Sequence, residues 1–132
     1  MRYMLDTNII VYAKNNRPET VLERFSQFDP SELCISAISL AELEYGICNS
    51  SKPAQNRLAL MLFLSNIEVL GFDAKAAEEY GRIRYDQKNK GVLIGGNDLL
   101  IAAHAKSIGM TLITNNTKEF ERVEGLNIEN RI

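Results

Sequence analysis

Short apolar runs alternate with longer amphipathic ones along this chain, and the alternation limits its fold more than any other feature. The runs typical of buried strands are Tyr3 to Leu5, Leu33 to Ser36, Glu68 to Gly71 and Met110 to Thr114. The segments between them show the spacing of apolar residues that is typical of helices. Strands alternating with helices predict an α/β fold with a central, mainly parallel sheet covered by helices. Ligands of such sheets bind beyond the carboxyl ends of the strands.

Helices are expected at residues 9–16, 19–28, 37–46, 57–66, 74–87 and 98–109. Thr7 or Asn8 can cap the first of these, and Ser36 can cap the third. The apolar density of residues 57–66 indicates a helix of the core or of an interface. The closing segment, Glu119 to Ile132, is expected to hold a short turn of helix and an edge strand.

The length of 132 residues fits one compact domain spanning residues 1–132, with a substantial core. Hydrophobic residues make up 45% of the chain and charged residues 24%, as in globular proteins. A signal peptide is not expected, because Asp6, Thr7 and Asn8 interrupt the first apolar run, and no stretch is long enough to cross a membrane. Two cysteines, Cys34 and Cys48, are expected to be reduced thiols. These features together favour the cytoplasm.

The net charge of −2 argues by itself against a nucleic-acid partner, because phosphate binding needs a basic surface. A cluster of carboxylates would lower the total charge, however, while basic residues elsewhere still face phosphate. Arg82, Arg84, Lys88 and Lys90 form the most basic run. Such a run is more often a solvated surface than a binding site.

Acidic and amide side chains stand where strands end and helices begin. Asp6 follows the first strand, Asn115 and Asn116 follow the last, Glu42 lies on the helix after the second, and Asp98 opens a helix. Helix capping alone can account for either aspartate. Neighbouring carboxylates repel one another unless a cation or proton relieves them. Their oxygens suit Mg²⁺ or Mn²⁺, and such ions support phosphodiester hydrolysis.

Helical periodicity does not decide between Glu42 and Glu44. Positions two apart on a helix point about 200° apart at ~3.6 residues per turn, so only one of them can face the site. Each has apolar neighbours at helical spacing. The choice stays open on this ground.

Four motifs together resemble the PIN-domain family of VapC-type toxins, namely LDTN at 5–8, AELEYG at 41–46, GGNDLLIAAHA at 95–105 and ITNNTKEF at 113–120. The resemblance runs from about Tyr3 to Phe120. It implies an open αβα sandwich and an endoribonuclease that acts on structured RNA. It further implies Mg²⁺ or Mn²⁺ at Asp6 and Asp98, with support from Glu42 rather than Glu44. A homodimer and a cognate VapB-type antitoxin are the partners that it implies.

The last motif departs from the pattern of many family members, which carry aspartate near Asn115 or Asn116. Either Glu119 or Asn116 is therefore expected to complete the site. The variant with Glu119 is similar to the enteric VapC branch, whose substrate is initiator tRNA, and that RNA is a candidate substrate here. Asn116 can orient a ligand by hydrogen bonds, or serve only as a turn residue after the strand.

Two alternatives from other classes compete with this interpretation. A receiver-like signalling domain also has an acidic pocket at strand ends, but it requires adjacent acids after the first strand and a lysine after the last. A catalytically inactive PIN scaffold would only bind a partner, and the missing aspartate near the last strand keeps this alternative open. His104 is the only histidine, so a histidine-based metal site is excluded. We expect His104 to have a structural role in an apolar helix.

Overall fold

The computed structural model describes residues 2–14 and 27–130 of the chain. The helix expected at 19–28 falls outside these residues except for Gln27 and Phe28, which lie in a turn and bend. The strands are β1 Tyr3–Leu5, β2 Leu33–Ser36, β3 Glu68–Leu70, β4 Thr111–Ile113 and β5 Ile128–Glu129. The helices are α1 Thr7–Lys14, α2 Ala37–Cys48, α3 Pro53–Leu64, α4 Ala74–Lys90, α5 Gly96–Ser107 and α6 Thr117–Phe120, and a 3₁₀ turn covers Pro30–Glu32.

The five strands form one sheet in the order β3-β2-β1-β4-β5. Every pairing is parallel, and Tyr3 of β1 lies opposite Leu33 on one side and Thr111 on the other. The predicted α/β fold with a parallel central sheet is therefore confirmed. The expected edge strand near the end of the chain is β5.

Alternate residues of the central strand β1 enter two separate cores. Met4 packs with residues of α4 and α5, such as Ile83 and Leu99. Tyr3 and Leu5 pack on the opposite face of the sheet with residues of α1, α2 and α3. Because side chains of a strand alternate between faces, a continuous apolar run is required where both faces are covered. This arrangement is the expected αβα sandwich.

The boundaries of α2 and α4 follow from their end residues. The Ser36 hydroxyl accepts a hydrogen bond from the Ile38 amide and caps α2, as expected. Asp73 caps α4 by accepting from the Ala76 amide. The α4 helix continues past Gln87 until Gly91, whose positive φ of 69° ends it in the left-handed conformation. It is therefore longer than expected.

Helix α3 is not a core helix. Only Leu60 among its residues is buried, while Leu58, Met61 and Leu62 are 58%, 62% and 68% exposed. Of the two positions expected for residues 57–66, the core is wrong, because apolar content does not reveal which faces of a helix other elements cover, and the interface stays a prediction. The α3 helix starts at Pro53 rather than Arg57, since proline suits the first position of a helix. None of the helices within the described residues is long and apolar enough to cross a bilayer.

Candidate active site

Asp6 lies at the carboxyl edge of the sheet, between the ends of the central strands β1 and β4. Its backbone amide donates to the Ile113 carbonyl at 2.9 Å, which extends the pairing of these strands by one bond. The Thr114 hydroxyl donates to Asp6 Oδ2, also at 2.9 Å. Asp6 is only 1% exposed. Burial raises the pKa of Asp6, and the hydrogen bond from Thr114 offsets part of that rise.

Asp6 also occupies the start of α1. The backbone amides of Thr7 and Asn8 lie close enough to its carboxylate to lower the pKa of Asp6, and Thr7 is the first helical residue. The expectation that Thr7 or Asn8 caps this helix is therefore wrong, because the preceding aspartate takes that place. The carboxylate is thus next to the amides that a helix start leaves unpaired, and it still lies at the edge of the sheet.

Glu42 faces the same edge from α2. Its Oε1 accepts from the Thr7 hydroxyl at 2.6 Å, and its Oε2 accepts from Asn97 Nδ2 at 3.2 Å. Glu44 instead pairs with Arg57 at 2.7 Å, where both side chains are a little under half exposed. The structure thus places Glu42 with Asp6 and turns Glu44 away, which settles the choice that periodicity left open.

Asp98 and Glu119 come from the first turn of α5 and from α6, and they are hydrogen-bonded to each other. Burial, then the hydrogen bond and charge of Glu119, and then the charges of Asp6 and Glu42 raise the pKa of Asp98 to about 7. Burial raises the pKa of Glu119, but hydrogen bonds from Gly95, Asn116 and Asp98 outweigh it, so that the net shift is downward. Asp98 is therefore the protonated partner of this pair, and its carboxyl group donates a hydrogen bond to the Glu119 carboxylate.

Asn116 contacts the site through Glu119. Its Nδ2 donates to Glu119 Oε2 at 2.7 Å, and its backbone amide donates to the Thr114 hydroxyl at 3.0 Å. Glu119 Oε1 accepts from the Gly95 amide at 3.1 Å. Both residues that the sequence offered for the fourth position are consequently present, with Glu119 beside Asp98 and Asn116 holding Glu119.

Gln87 is a structural support of the site that sequence reasoning missed. It is fully buried on α4, where its Nε2 donates to the Arg122 carbonyl at 3.2 Å and its Oε1 accepts from the Ile94 amide at 3.3 Å. These two bonds join the segment before α5 to the segment after α6. No pattern distinguishes Gln87 from the other polar residues of α4, so the sequence carried no signal for it.

His104 and the basic run lie outside the acidic edge. The His104 ring is buried, its Nδ1 lies 2.7 Å from the Ser36 hydroxyl, and it packs edge-on against Phe72, which agrees with a structural role. In the basic run, Arg82 pairs with Glu79 and Lys90 pairs with Asp86 on the surface of α4. The solvated-surface interpretation of these two residues is consistent with their pairing.

Within residues 2–14 and 27–130, no three acidic, histidine or cysteine side chains form a ready-made group of metal ligands. Each carboxylate instead turns to a partner of its own: Asp6 to Thr114, Glu42 to Thr7, and Asp98 to Glu119. The donors nevertheless fit a hard divalent cation, which prefers carboxylate oxygens and, for Mg²⁺, needs only one or two of them. The charges of Asp6, Glu42 and Glu119 all act on Asp98, and a cation would relieve that repulsion.

The PIN domain family model matches residues 3–126 of the chain. A ribonuclease VapC2 from Rickettsia felis is 47% identical, and the match covers 98% of both chains. A tRNA(fMet)-specific endonuclease VapC from Shigella flexneri is 43% identical, over 98% of this chain and 97% of that protein. The structure of a DNA-bound VapBC from Salmonella typhimurium superposes with a TM-score of 0.94 at 42% identity, covering 100% of this chain and 99% of that chain.

These similarities run through all four motifs and through the whole sheet. They disfavour the receiver-like alternative, which shares the layered architecture but not the motifs. The chain therefore belongs to the PIN domain family, as one of its VapC members.

Proposed function

We propose that this protein is the toxin of a VapBC-type toxin-antitoxin module, a metal-dependent endoribonuclease that cleaves structured RNA. The observation that carries the proposal is the meeting of four carboxylates at one edge of the sheet, where three of them act on the pKa of Asp98. The VapC relatives are named ribonucleases and endonucleases, which supports the same reaction.

Asp6 and Asp98 are the residues we propose to hold Mg²⁺ or Mn²⁺. Asp6 is fixed by Thr114 and by the start of α1, so its carboxylate is preorganised at little entropic cost. Asp98 must give up the proton that it shares with Glu119 before it can bind a cation as a carboxylate. A bound cation would polarise the scissile phosphate and activate a water molecule.

Glu42 and Glu119 support the site from either side. Thr7 and Asn97 orient Glu42, while Gly95 and Asn116 orient Glu119. Once Asp98 has lost its proton, the Glu119 carboxylate beside it could accept a proton from an attacking water. Asn116 is in this scheme a positioning residue that keeps Glu119 beside Asp98.

RNA is the substrate class, and initiator tRNA is a specific candidate. The candidate comes from the Shigella relative, which is named a tRNA(fMet)-specific endonuclease and is 43% identical. The net charge of −2 does not oppose an RNA substrate, because the acidic edge accounts for four of the 17 acidic residues of the chain.

The partners we propose are a VapB-type antitoxin and a second copy of the chain. A groove between α2 and α5, of about 380 Å³, is lined mostly by apolar side chains and also by Glu42: Ile38, Ala41, Glu42, Tyr45, Asn97 and Leu100. An antitoxin segment lying there would reach the active site. The exposed apolar face of α3 is a suitable surface for a homodimer.

The test is RNA cleavage by wild type, Asp6→Asn and Asp98→Asn proteins, with a tRNA(fMet) transcript and an elongator tRNA as substrates. We expect cleavage that requires Mg²⁺ or Mn²⁺ and falls at least about a hundredfold in either variant, because each loses a charged ligand. Asp86→Asn, on the exposed face of α4, is the matched control. Cleavage that persists in EDTA or in both variants would contradict the proposal, and complete inactivity of the wild type would favour the inactive scaffold.

A further inference from the structure

A cleft of about 620 Å³ opens beside the acidic edge and is not explained by the chemistry proposed above. Among the residues that the structure describes, its lining consists of Asn8 and Val11 from α1, and Asn115 and Asn116 from the connection between β4 and α6. Asn116 belongs to both places, because its amide also holds Glu119. The cleft and the proposed metal site therefore share a wall.

The described lining of this cleft is polar but uncharged. Each asparagine amide offers two donor hydrogens and one acceptor oxygen. The side chains of Asn8 and Asn115 make no hydrogen bond with any residue that the structure describes, so both amides are available to a ligand. Val11, which is 37% exposed, adds an apolar patch to the same wall.

These features suit a neutral, flat ligand that carries donors and acceptors on one edge. A phosphate or carboxylate would call for basic side chains, which the described lining lacks. Nucleobases have the required edge, and asparagine is a common partner of such edges. Single-stranded bases can swing out and present their Watson–Crick or Hoogsteen edges to a protein, whereas bases inside an RNA helix cannot.

The position of the cleft indicates which base it would hold. Asn8 lies two residues after Asp6, and Asn115 directly follows Thr114, the residue bonded to the Asp6 carboxylate. We propose that this cleft binds one unpaired base of a nucleotide flanking the scissile phosphate, and that Asn8 and Asn115 set the base preference of cleavage. The inference rests on the proposed ribonuclease function, and it places cleavage in loops rather than in paired stems.

The test uses a hairpin RNA that the wild-type protein cleaves at one mapped position. The nucleotides on either side of that position are replaced in turn by each other base and by an abasic residue, and kcat/KM is measured for each RNA. With the wild type, we expect the abasic residue at one of the two positions to lower kcat/KM by about tenfold, the scale of one good amide–base pairing.

Asn115→Ala and Asn8→Ala should each lower kcat/KM for the original RNA while leaving kcat/KM for the abasic RNA near its wild-type value. That pattern identifies the base as the partner of the amide, since removing either partner loses the same interaction. Asn66 is an exposed asparagine that precedes β3, at the end of the sheet opposite the cleft. Asn66→Ala is the control, and it should discriminate between the RNA bases as the wild type does. Thermal unfolding of each variant checks its fold, and the exposure of Asn8 makes it the safer of the two substitutions.

Unchanged base discrimination in both variants would overturn the role of the cleft. An equal loss of kcat/KM on normal and abasic RNA would also overturn it, because the asparagines would then serve the reaction itself. A loss of antitoxin binding with no change in kcat/KM would overturn it as well. Failure of the wild type to cleave any RNA would instead overturn the proposed function on which the inference depends.

Discussion

Replacing Asp98 by asparagine is expected to stabilise the metal-free protein at neutral pH, although the change removes a proposed metal ligand. The pKa of Asp98 rises from 3.8 to about 7 on folding, because the folded chain buries this carboxyl and places other carboxylates around it. Ionised Asp98 is therefore a source of instability above pH 7. Asparagine carries no charge, and its amide can donate to Glu119 as the protonated aspartate does.

The size of the effect follows from the same shift. A rise in the pKa of Asp98 from 3.8 to about 7 is about three pKa units. At ~1.36 kcal/mol for each unit, the substitution can raise the free energy of unfolding by at most about 4 kcal/mol. Because Asp98 is only half-buried, solvent screens much of the repulsion between it and the other carboxylates. We therefore expect a gain of about 1 to 2 kcal/mol in the free energy of unfolding. For a chain of 132 residues this corresponds to a rise in Tm of about 4 to 8 °C.

The pH dependence has a definite sign. Between pH 3.8 and about 7 the folded protein binds the Asp98 proton more tightly than the unfolded chain, so the contribution of Asp98 to stability falls as the pH rises through this window. The gain from Asp98→Asn should therefore be full at pH 8 and absent below about pH 4, where Asp98 is protonated in both states.

The assay is thermal unfolding in EDTA at pH 4, 6 and 8, with Asp86→Asn as the matched exposed substitution. Asp86 pairs with Lys90 on the surface of α4, so its loss should lower stability by no more than about 0.5 kcal/mol. Adding Mg²⁺ should stabilise the wild type, because a ligand stabilises the state that binds it. The difference in Tm between the wild type and Asp98→Asn should then become smaller. A lower Tm for Asp98→Asn at pH 8, or an equal gain at pH 4, would refute the reasoning.

Two further predictions concern Thr7 and Tyr45. Thr7→Val keeps the shape of the side chain but removes the 2.6 Å hydrogen bond to Glu42. We therefore expect kcat/KM for RNA cleavage to fall about tenfold and the free energy of unfolding to fall by about 1 kcal/mol. Unaltered cleavage would show that Glu42 does not need this hydrogen bond. Tyr45 lines the groove, and Tyr45→Ala should weaken antitoxin binding at least about tenfold in a titration without affecting cleavage. Tyr85→Ala on α4 is the control and should leave binding unchanged, since the two tyrosines are similarly exposed, at 70% and 71%. Equal effects of the two substitutions would argue against binding in the groove.

The sheet could be predicted from the sequence because its signals are local and redundant. Residues of β1 are buried on both faces, so the strand has to be a continuous apolar run, and the parallel order follows from the helices between strands. Asp6 was predictable for the same reason, since it directly follows β1. Glu42 was not, because the rotation of α2 depends on the side chains that pack against it rather than on its own periodicity.

The remaining parts of the site depend on contacts between distant segments. Glu119 reaches Asp98 only because α6 folds back beside the start of α5, and buried Gln87 bridges the same two segments. The exposed face of α3 could not be located from the sequence, because apolar content fits a core helix and an interface helix equally well. Family resemblance supplied Glu42 and Glu119, whereas the residues by themselves supplied only candidates.

The pairing of β1 with β4 has a consequence for the order in which the ribosome makes the chain. Asp6 is translated 108 positions before its partner Thr114, and Glu119 comes later still. Before Thr111–Ile113 has been made, β2 is the only one of the two strands next to β1 that is present. Nascent chains that stop before that point cannot complete the acidic edge. A copy of this toxin that is terminated before Thr111–Ile113 lacks both Glu119 and the hydrogen bond from Thr114 to Asp6.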